Sequence, residues 1–158
     1  MFTRKIAAVA VAVSLAFATA GCTMISPVAT QLEYQPGNGL DVNVGNVAAR
    51  NLVYLVASND QGALIGSLVN KNSDAATVTL TSAGGTSTQV SVAGFGKSDF
   101  GYNGFAALPL GIVAKPGSLT AITVSVNGEQ TTVKVPVLDG TFSEYAGLIA
   151  EPVATPKP

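Results

Sequence analysis

The chain has 158 residues, of which 47% are hydrophobic and only 11% are charged, and it contains no histidine, no tryptophan and one cysteine. A net charge of −1 lacks the basic footprint of a nucleic-acid-binding protein. The absence of histidine excludes histidine-based catalytic triads and the commonest zinc and copper ligand. We therefore expect a domain that folds on its hydrophobic core without disulfides, uses no cofactor and binds no nucleic acid.

The N-terminus has the three zones of a secretory signal peptide. Arg4 and Lys5 supply positive charge, Ile6 to Phe17 form an apolar run, and Ala18 to Gly21 are small residues. The apolar run has 12 residues, whereas a membrane-spanning helix needs roughly 20. We predict that residues 1–21 are a cleaved signal peptide.

The only cysteine, Cys22, follows the predicted cleavage site directly. Thr19-Ala20-Gly21-Cys22 matches the last three positions of a bacterial lipobox, with Thr19 in place of the usual bulky aliphatic residue. Two acyl chains on one cysteine are enough for stable anchoring. We predict lipidation of Cys22, a short spacer over residues 22–30 and a location on the extracytoplasmic face of the cell membrane. The alternative is an ordinary secreted protein with an incidental cysteine.

Removing residues 1–21 leaves 137 residues, and the loss of Arg4 and Lys5 changes the net charge from −1 to −3. That length suffices for one domain with a single core, which we place at residues 31–150. The tail, residues 151–158, is rich in proline and is expected to be extended.

The domain shows the period-two alternation of strands that rest on a core. Four segments alternate apolar with polar residues: Leu40 to Val44, Ala76 to Thr81, Ile122 to Val126 and Val133 to Val137. Two further segments are continuous apolar runs, which are typical of central strands: Leu52 to Val56 and Ala63 to Val69. Turn pairs separate them, and Asn127-Gly128 is the clearest hairpin signal. Seven to nine short strands predict an all-β fold, an antiparallel β-sandwich of the immunoglobulin or cupredoxin type. Pro136 is expected at an edge or bulge.

Catalytic chemistry is not indicated by the remaining residues. A glycosidase would need two carboxylates held across a cleft, but Asp60, Asp74 and Asp139 occur in turn contexts where Asp bonds locally to backbone. We expect no enzymatic activity.

The stretch from Gly94 to Phe105 concentrates aromatic residues among glycines and the charges Lys97 and Asp99. Phe95, Phe100 and Tyr102 are predicted to contact a partner, because aromatic residues within a polar rim are typical of binding surfaces. The alternative is that these rings close one end of the sandwich from inside.

Several segments carry a resemblance to a known family. They are Gly39 to Val44, Leu68 to Asp74, Val113 to Gly117, and Val135 to Val137 with Tyr145 to Leu148. With the lipoprotein-like N-terminus, they resemble the LpqE-type lipoproteins of mycobacteria and corynebacteria over roughly Gln31 to Ile149. The resemblance implies a cupredoxin-like scaffold related to periplasmic copper chaperones, and a partner in the actinobacterial respiratory supercomplex of cytochrome bcc and aa3 oxidase.

Copper chaperones of that kind hold copper with methionine and histidine side chains, and this domain offers neither. The resemblance therefore implies the scaffold and not the copper site. The leading hypothesis is a non-catalytic lipoprotein that binds a membrane protein. The second hypothesis is a small-molecule or metal carrier of the copper-chaperone type that has lost its ligands, and an enzyme ranks third.

Replacing the acylated thiol tests the anchor directly. Cys22→Ala is expected to abolish lipid attachment, because the chain has no other cysteine. Metabolic labelling with a fatty-acid analogue should mark the wild-type protein and leave the variant unmarked. Equal labelling of both proteins would show that the lipid is attached elsewhere, and labelling of neither would show that it is absent.

Overall fold

The structure is a computed structural model that describes residue 6 and residues 37–57, 62–112, 114–145 and 147–149. The chain divides into two compact units, 1–34 and 35–158, and the second contains every described residue except Ile6. Apart from Ile6, the predicted signal peptide, Cys22, the spacer and the tail lie outside the described residues. In the described part of the chain, no helix has the length and apolar character needed to cross a bilayer.

The described part of the second unit is built from nine strands without a helix, which confirms the predicted all-β class. In chain order they are β1 Leu40–Val44, β2 Val47–Val56, β3 Gly62–Asn70, β4 Ala76–Ser82, β5 Ser87–Val92, β6 Lys97–Phe100, β7 Leu108–Pro109, β8 Leu119–Val126 and β9 Glu129–Asp139. All six segments predicted from alternation and apolar runs fall in these strands.

The strands form one sheet that is nearly closed into a barrel, in the order β5-β4-β8-β9-β2-β3-β6. β1 pairs with β2, and β7 pairs with β3. The two edge strands, β5 and β6, are joined in sequence by the four residues 93–96. This short connection brings the two edges of the sheet together at one end of the domain.

β9 joins the two halves of the barrel. Its first part pairs antiparallel with β8, and its last part pairs parallel with β2, with Tyr54 opposite Val137. The expected antiparallel sandwich is thus correct for every other described strand pair and wrong for β2 and β9. Pro136 is opposite Leu119 of β8, one residue before β9 begins to pair with β2 at Val137. The expected edge or bulge position is wrong, because β9 is an interior strand of the sheet.

The main core fills the space inside the barrel, and β2 and β3 are also covered on their outer face. The inner cluster includes Leu52, Tyr54, Leu68 and Val124. A second cluster, here named the outer cluster, is formed by Val53, Leu55, Ala63, Ile65 and Ala107, packed against Tyr102, Leu138, Tyr145, Leu148 and Ile149. Burial on both faces explains why these two strands have continuous apolar runs rather than alternation.

A tight turn at one end of the barrel and a buried hydrogen bond at the other hold the connecting loops in place. Asn127 and Gly128 both have positive φ, 49° and 89°, as the predicted tight hairpin between β8 and β9 requires. At the other end, the buried Tyr54 hydroxyl donates to the carbonyl of Leu110 and accepts from the Ile112 amide at 3.2 Å. Burial raises the pKa of this phenol, and its hydrogen bond to the Ile112 backbone opposes the rise.

Candidate functional site

The predicted loop from Gly94 to Phe105 is interrupted by a strand. Residues Lys97–Phe100 form β6 and pair with β3, with Gly66 opposite Phe100. At about 3.3 Å per residue, β6 puts more than 10 Å between Phe95 before it and Tyr102 after it. The structure therefore does not bring the three predicted aromatic residues together on one surface.

Phe100 belongs to the main core and is only 2% exposed. Its ring lies against Gly66, where a Cβ would come within 3.2 Å of the ring and 2.8 Å of Leu52. The glycine thus makes room for the aromatic side chain across the strand pair. The prediction that Phe100 contacts a partner is corrected here, because a fully buried ring cannot reach one; it is an internal plug.

Tyr102 is half-buried in the outer cluster. Its hydroxyl accepts a hydrogen bond from the Asn51 side-chain amide at 2.9 Å. Burial raises its pKa, with a smaller contribution from Tyr145. Tyr102 therefore fastens the loop between β6 and β7 to the outer face of the sheet, where its ring is half-buried.

Phe95 has the opposite environment, with 74% of its surface exposed. Its backbone φ is +51°, in the left-handed region that costs a non-glycine residue roughly 1–2 kcal/mol. A bulky side chain in this conformation is an outlier, and such strain is concentrated at functional sites. The fold thus maintains a strained backbone at a residue whose ring points into solvent.

The surrounding loops impose this conformation on Phe95. Its amide donates to the carbonyl of Asn72 at 2.7 Å, and the Gly96 amide donates to the carbonyl of Ala93 at 3.0 Å. A Cβ on Gly94 would overlap the carbonyl oxygen of Ser73, so the two loops approach as closely as glycine permits. Phe95 is consequently presented on a rigid turn.

Asn70, at the end of β3, holds these two loops together from inside. Its side-chain amide donates to the carbonyls of Asp74 at 2.7 Å, Ala93 at 3.2 Å and Val92 at 3.4 Å. Its side-chain oxygen accepts from the Asn72 amide at 3.0 Å, and its own backbone amide donates to Gly96. Asn70 is only 2% exposed. Its role was not predicted from the sequence, and the only feature that could have indicated it is a polar residue at the end of an apolar run.

Polar residues lie near Phe95 in the sequence and on the loop to which its amide is bonded. Lys71, Ser73 and Asp74 are exposed on the neighbouring loop. Lys97 forms an ion pair with Asp99 at 2.9 Å. The pKa of Asp99 is lowered, chiefly by hydrogen bonds from Lys97 and Ser67, so the carboxylate stays ionised. One exposed aromatic ring within such a rim has the composition of a protein-binding contact.

A second polar cluster, beside β1, serves the fold. The Arg50 guanidinium donates to the carbonyls of Val42 and Ala49 and to the Asn43 side chain. The Asp41 carboxylate accepts from the backbone amide of Asn51 at 2.7 Å. These donors and acceptors are used internally, and the described residues contain no group of three His, Cys, Asp or Glu side chains placed to hold a metal.

Comparison with solved structures identifies proteins with the same architecture. The copper-bound PCuAC domain from PmoF2 superposes with a TM-score of 0.50 at 12% sequence identity, covering 63% of this chain and 98% of that domain. The domain has the cupredoxin-like fold of PCuAC domains. The apo PCuAC domain from PmoF1 gives a TM-score of 0.47 at 10% identity, covering 62% of this chain and 98% of that domain.

The similarity to the PmoF2 domain confirms the cupredoxin-like fold expected from the sequence and a distant structural similarity to PCuAC domains. No protein-family model and no curated protein matches the chain. At such low identity, the similarity carries the fold and leaves function to be argued from this chain's own residues.

The two phenylalanines should respond differently to truncation. Phe100→Ala is expected to lower the free energy of unfolding by roughly 3–5 kcal/mol, because it leaves a cavity in the core. Phe95→Ala is expected to change it by no more than about 0.5 kcal/mol, as for other exposed positions. Urea unfolding followed by circular dichroism measures both variants, and a sharp loss of stability in Phe95→Ala would contradict its assignment as an exposed contact.

Proposed function

We propose that this protein is a non-catalytic lipoprotein, held by lipid on Cys22 at the extracytoplasmic face of the cell membrane, that binds a membrane protein through the surface around Phe95. The observation that carries the proposal is the exposed aromatic ring of Phe95 on a strained and rigid turn. A structural role would favour glycine at φ +51° and a polar side chain at 74% exposure.

Anchoring makes a small contact surface sufficient. A protein confined to a membrane meets other membrane proteins at a high effective concentration, so modest contacts give stable association. The small net charge of −3 that remains after loss of Arg4 and Lys5, and the mixed charges near Phe95, do not favour long-range electrostatic steering. A rigid aromatic contact limits the entropy lost on binding, which fits this mode of recognition.

The resemblance to LpqE-type lipoproteins suggests which partner to test first. It implies association with the respiratory supercomplex of cytochrome bcc and aa3 oxidase. The proposal requires only that the partner expose a surface outside the membrane, with an apolar pocket able to receive one aromatic ring.

Truncation of the exposed ring tests this binding surface. Phe95→Ala should reduce the amount of partner that accompanies the tagged protein from gently solubilised membranes by at least about tenfold, which corresponds to losing a contact of about 1.4 kcal/mol. Quantitative mass spectrometry of the purified material provides the measurement. Phe105→Ala is the matched control, because Phe105 is also exposed, at 58%, but lies in the loop between β6 and β7.

Loss of partner with Phe95→Ala and retention with Phe105→Ala is the expected pattern. Unchanged recovery with Phe95→Ala would exclude this surface, and equal losses with both variants would show that the effect is not specific to it.

The second candidate function is that of a small-molecule or metal carrier, and the similarity to a copper-bound PCuAC domain is the observation that favours it. The sequence opposes copper binding. It contains no histidine, its methionines are Met1 and Met24, and its one cysteine is the proposed lipid site. Soft metal ions such as Cu(I) prefer thiolate, thioether and imidazole ligands, which this domain does not provide.

Copper titration separates the two candidates. We expect the purified mature protein to show no stoichiometric Cu(I) site that survives a competing chelator, because the soft ligands are missing. A PCuAC domain titrated in parallel serves as the positive control. A tight one-to-one Cu(I) site would contradict the inference that the domain lacks suitable ligands and would favour the carrier function.

A further inference from the structure

The described residues of the domain expose large hydrophobic side chains at both ends of the barrel. Phe95 is at the end that also carries the β8–β9 hairpin. Phe142, 58% exposed, follows the end of β9 and is therefore at the opposite end. β2 spans the barrel with ten residues, so the two ends are about 30 Å apart.

Phe142 lines an open cleft of about 420 Å³ together with Asn38, Leu138, Glu144 and Tyr145. Leu138 and Tyr145 also pack on the outer cluster, and the Tyr145 amide donates to the carbonyl of Phe142 at 2.9 Å. The segment that carries Phe142 is thus attached to the folded sheet while its ring remains in solvent.

Asn38 places this cleft beside the segment that leads to the lipid. Gly37 and Asn38 precede β1, and the Gly39 amide is fixed to the Asn51 side chain at 2.9 Å. Fourteen residues separate Cys22 from Gly37, and a chain of that length reaches at most about 50 Å. Gly37, where the described part of the domain begins, is thus at the end with Phe142, and the chain before it is long enough for that end to reach the lipid surface.

Lipid fits the chemistry of this cleft better than an acidic or basic protein surface does. Three of its five lining residues are Leu138, Phe142 and Tyr145, and Glu144 is the only charged one. Aromatic side chains are favoured at the boundary between lipid headgroups and acyl chains. A shallow apolar contact would supplement the acyl chains as an additional anchoring signal.

We propose that Phe142 and its cleft rest on the lipid surface, so that Phe95 points away from the membrane. This inference rests on the proposed lipid anchor at Cys22 and deepens the proposed function. The partner would then be bound roughly 30 Å above the membrane, through an extracytoplasmic domain rather than through membrane-spanning helices.

Single tryptophans provide the test, because the chain contains none. Phe142→Trp and the matched control Phe95→Trp are purified in the acylated form and reconstituted into phosphatidylcholine vesicles with or without brominated acyl chains. Tryptophan in contact with lipid is quenched by bromine. We expect at least about twofold quenching at position 142 and no quenching at position 95.

A measurement on the wild-type protein keeps the inference testable should a tryptophan variant misfold. Vesicles should slow amide hydrogen exchange in residues 140–145 at least about tenfold relative to detergent, and leave residues 93–96 unchanged. Contact with lipid excludes water from the first segment only.

Each adverse outcome has a defined meaning. An acylated, vesicle-bound Phe142→Trp variant whose tryptophan is not quenched would overturn this inference and leave the anchor intact. Quenching at position 95 would reverse the orientation, and protection of residues 140–145 only in native membranes would indicate a protein occupant; both reject the lipid contact. A mass spectrum without acyl chains would reject the anchor and this inference together.

Discussion

The buried side chain of Asn70 holds together the place where the barrel nearly closes. β5 and β6 are the free edges of the sheet, and only residues 93–96 connect them. Asn70 lies on β3, beside β6, and its side-chain amide donates across the gap to the carbonyls of Asp74, before β4, and Ala93, after β5. Its backbone amide donates to the carbonyl of Gly96. A buried amide with several partners is costly to disturb, since removal would leave backbone groups unsatisfied. The rigid turn that presents Phe95 depends on this network.

The domain shares its fold with a copper-bound protein but differs from the usual copper sites in residue composition. Its fold matches a copper-bound PCuAC domain, yet histidine is absent from the sequence. Three features hold the fold together: the inner core, the outer cluster and the pairing of β9 with both β8 and β2. What distinguishes this chain lies in its loops, where Phe95 and Phe142 occupy opposite ends. The proposed recognition at one end and the proposed attachment at the other would use loops at opposite ends of one scaffold.

Strand content was predictable where local pattern and packing agree. β4, β8 and β9 alternate because one face rests on the core, and β2 and β3 are continuous because both faces are covered. β5 and β6 have too few apolar residues to be recognised, since pairing with β4 and β3 determines them. The burial of Phe100 depends on the distant Gly66, and the positive φ of Phe95 depends on the carbonyl of Asn72. Contacts of that kind leave no periodic trace in the sequence.

The parallel contact between β2 and β9 constrains the order in which the chain can acquire structure. Tyr54 pairs with Val137, so residues near the start of the domain cannot complete their strand pairing until those near its end are available. Contacts between residues so distant in sequence slow folding. During synthesis, β1 to β3 can pair early, but the inner core stays open until β9 has been made. A chain truncated before Val137 would therefore lose the pairing of β9 with β2 that joins the two halves of the barrel. Its apolar strand faces would remain uncovered, and the truncated chain would be prone to association.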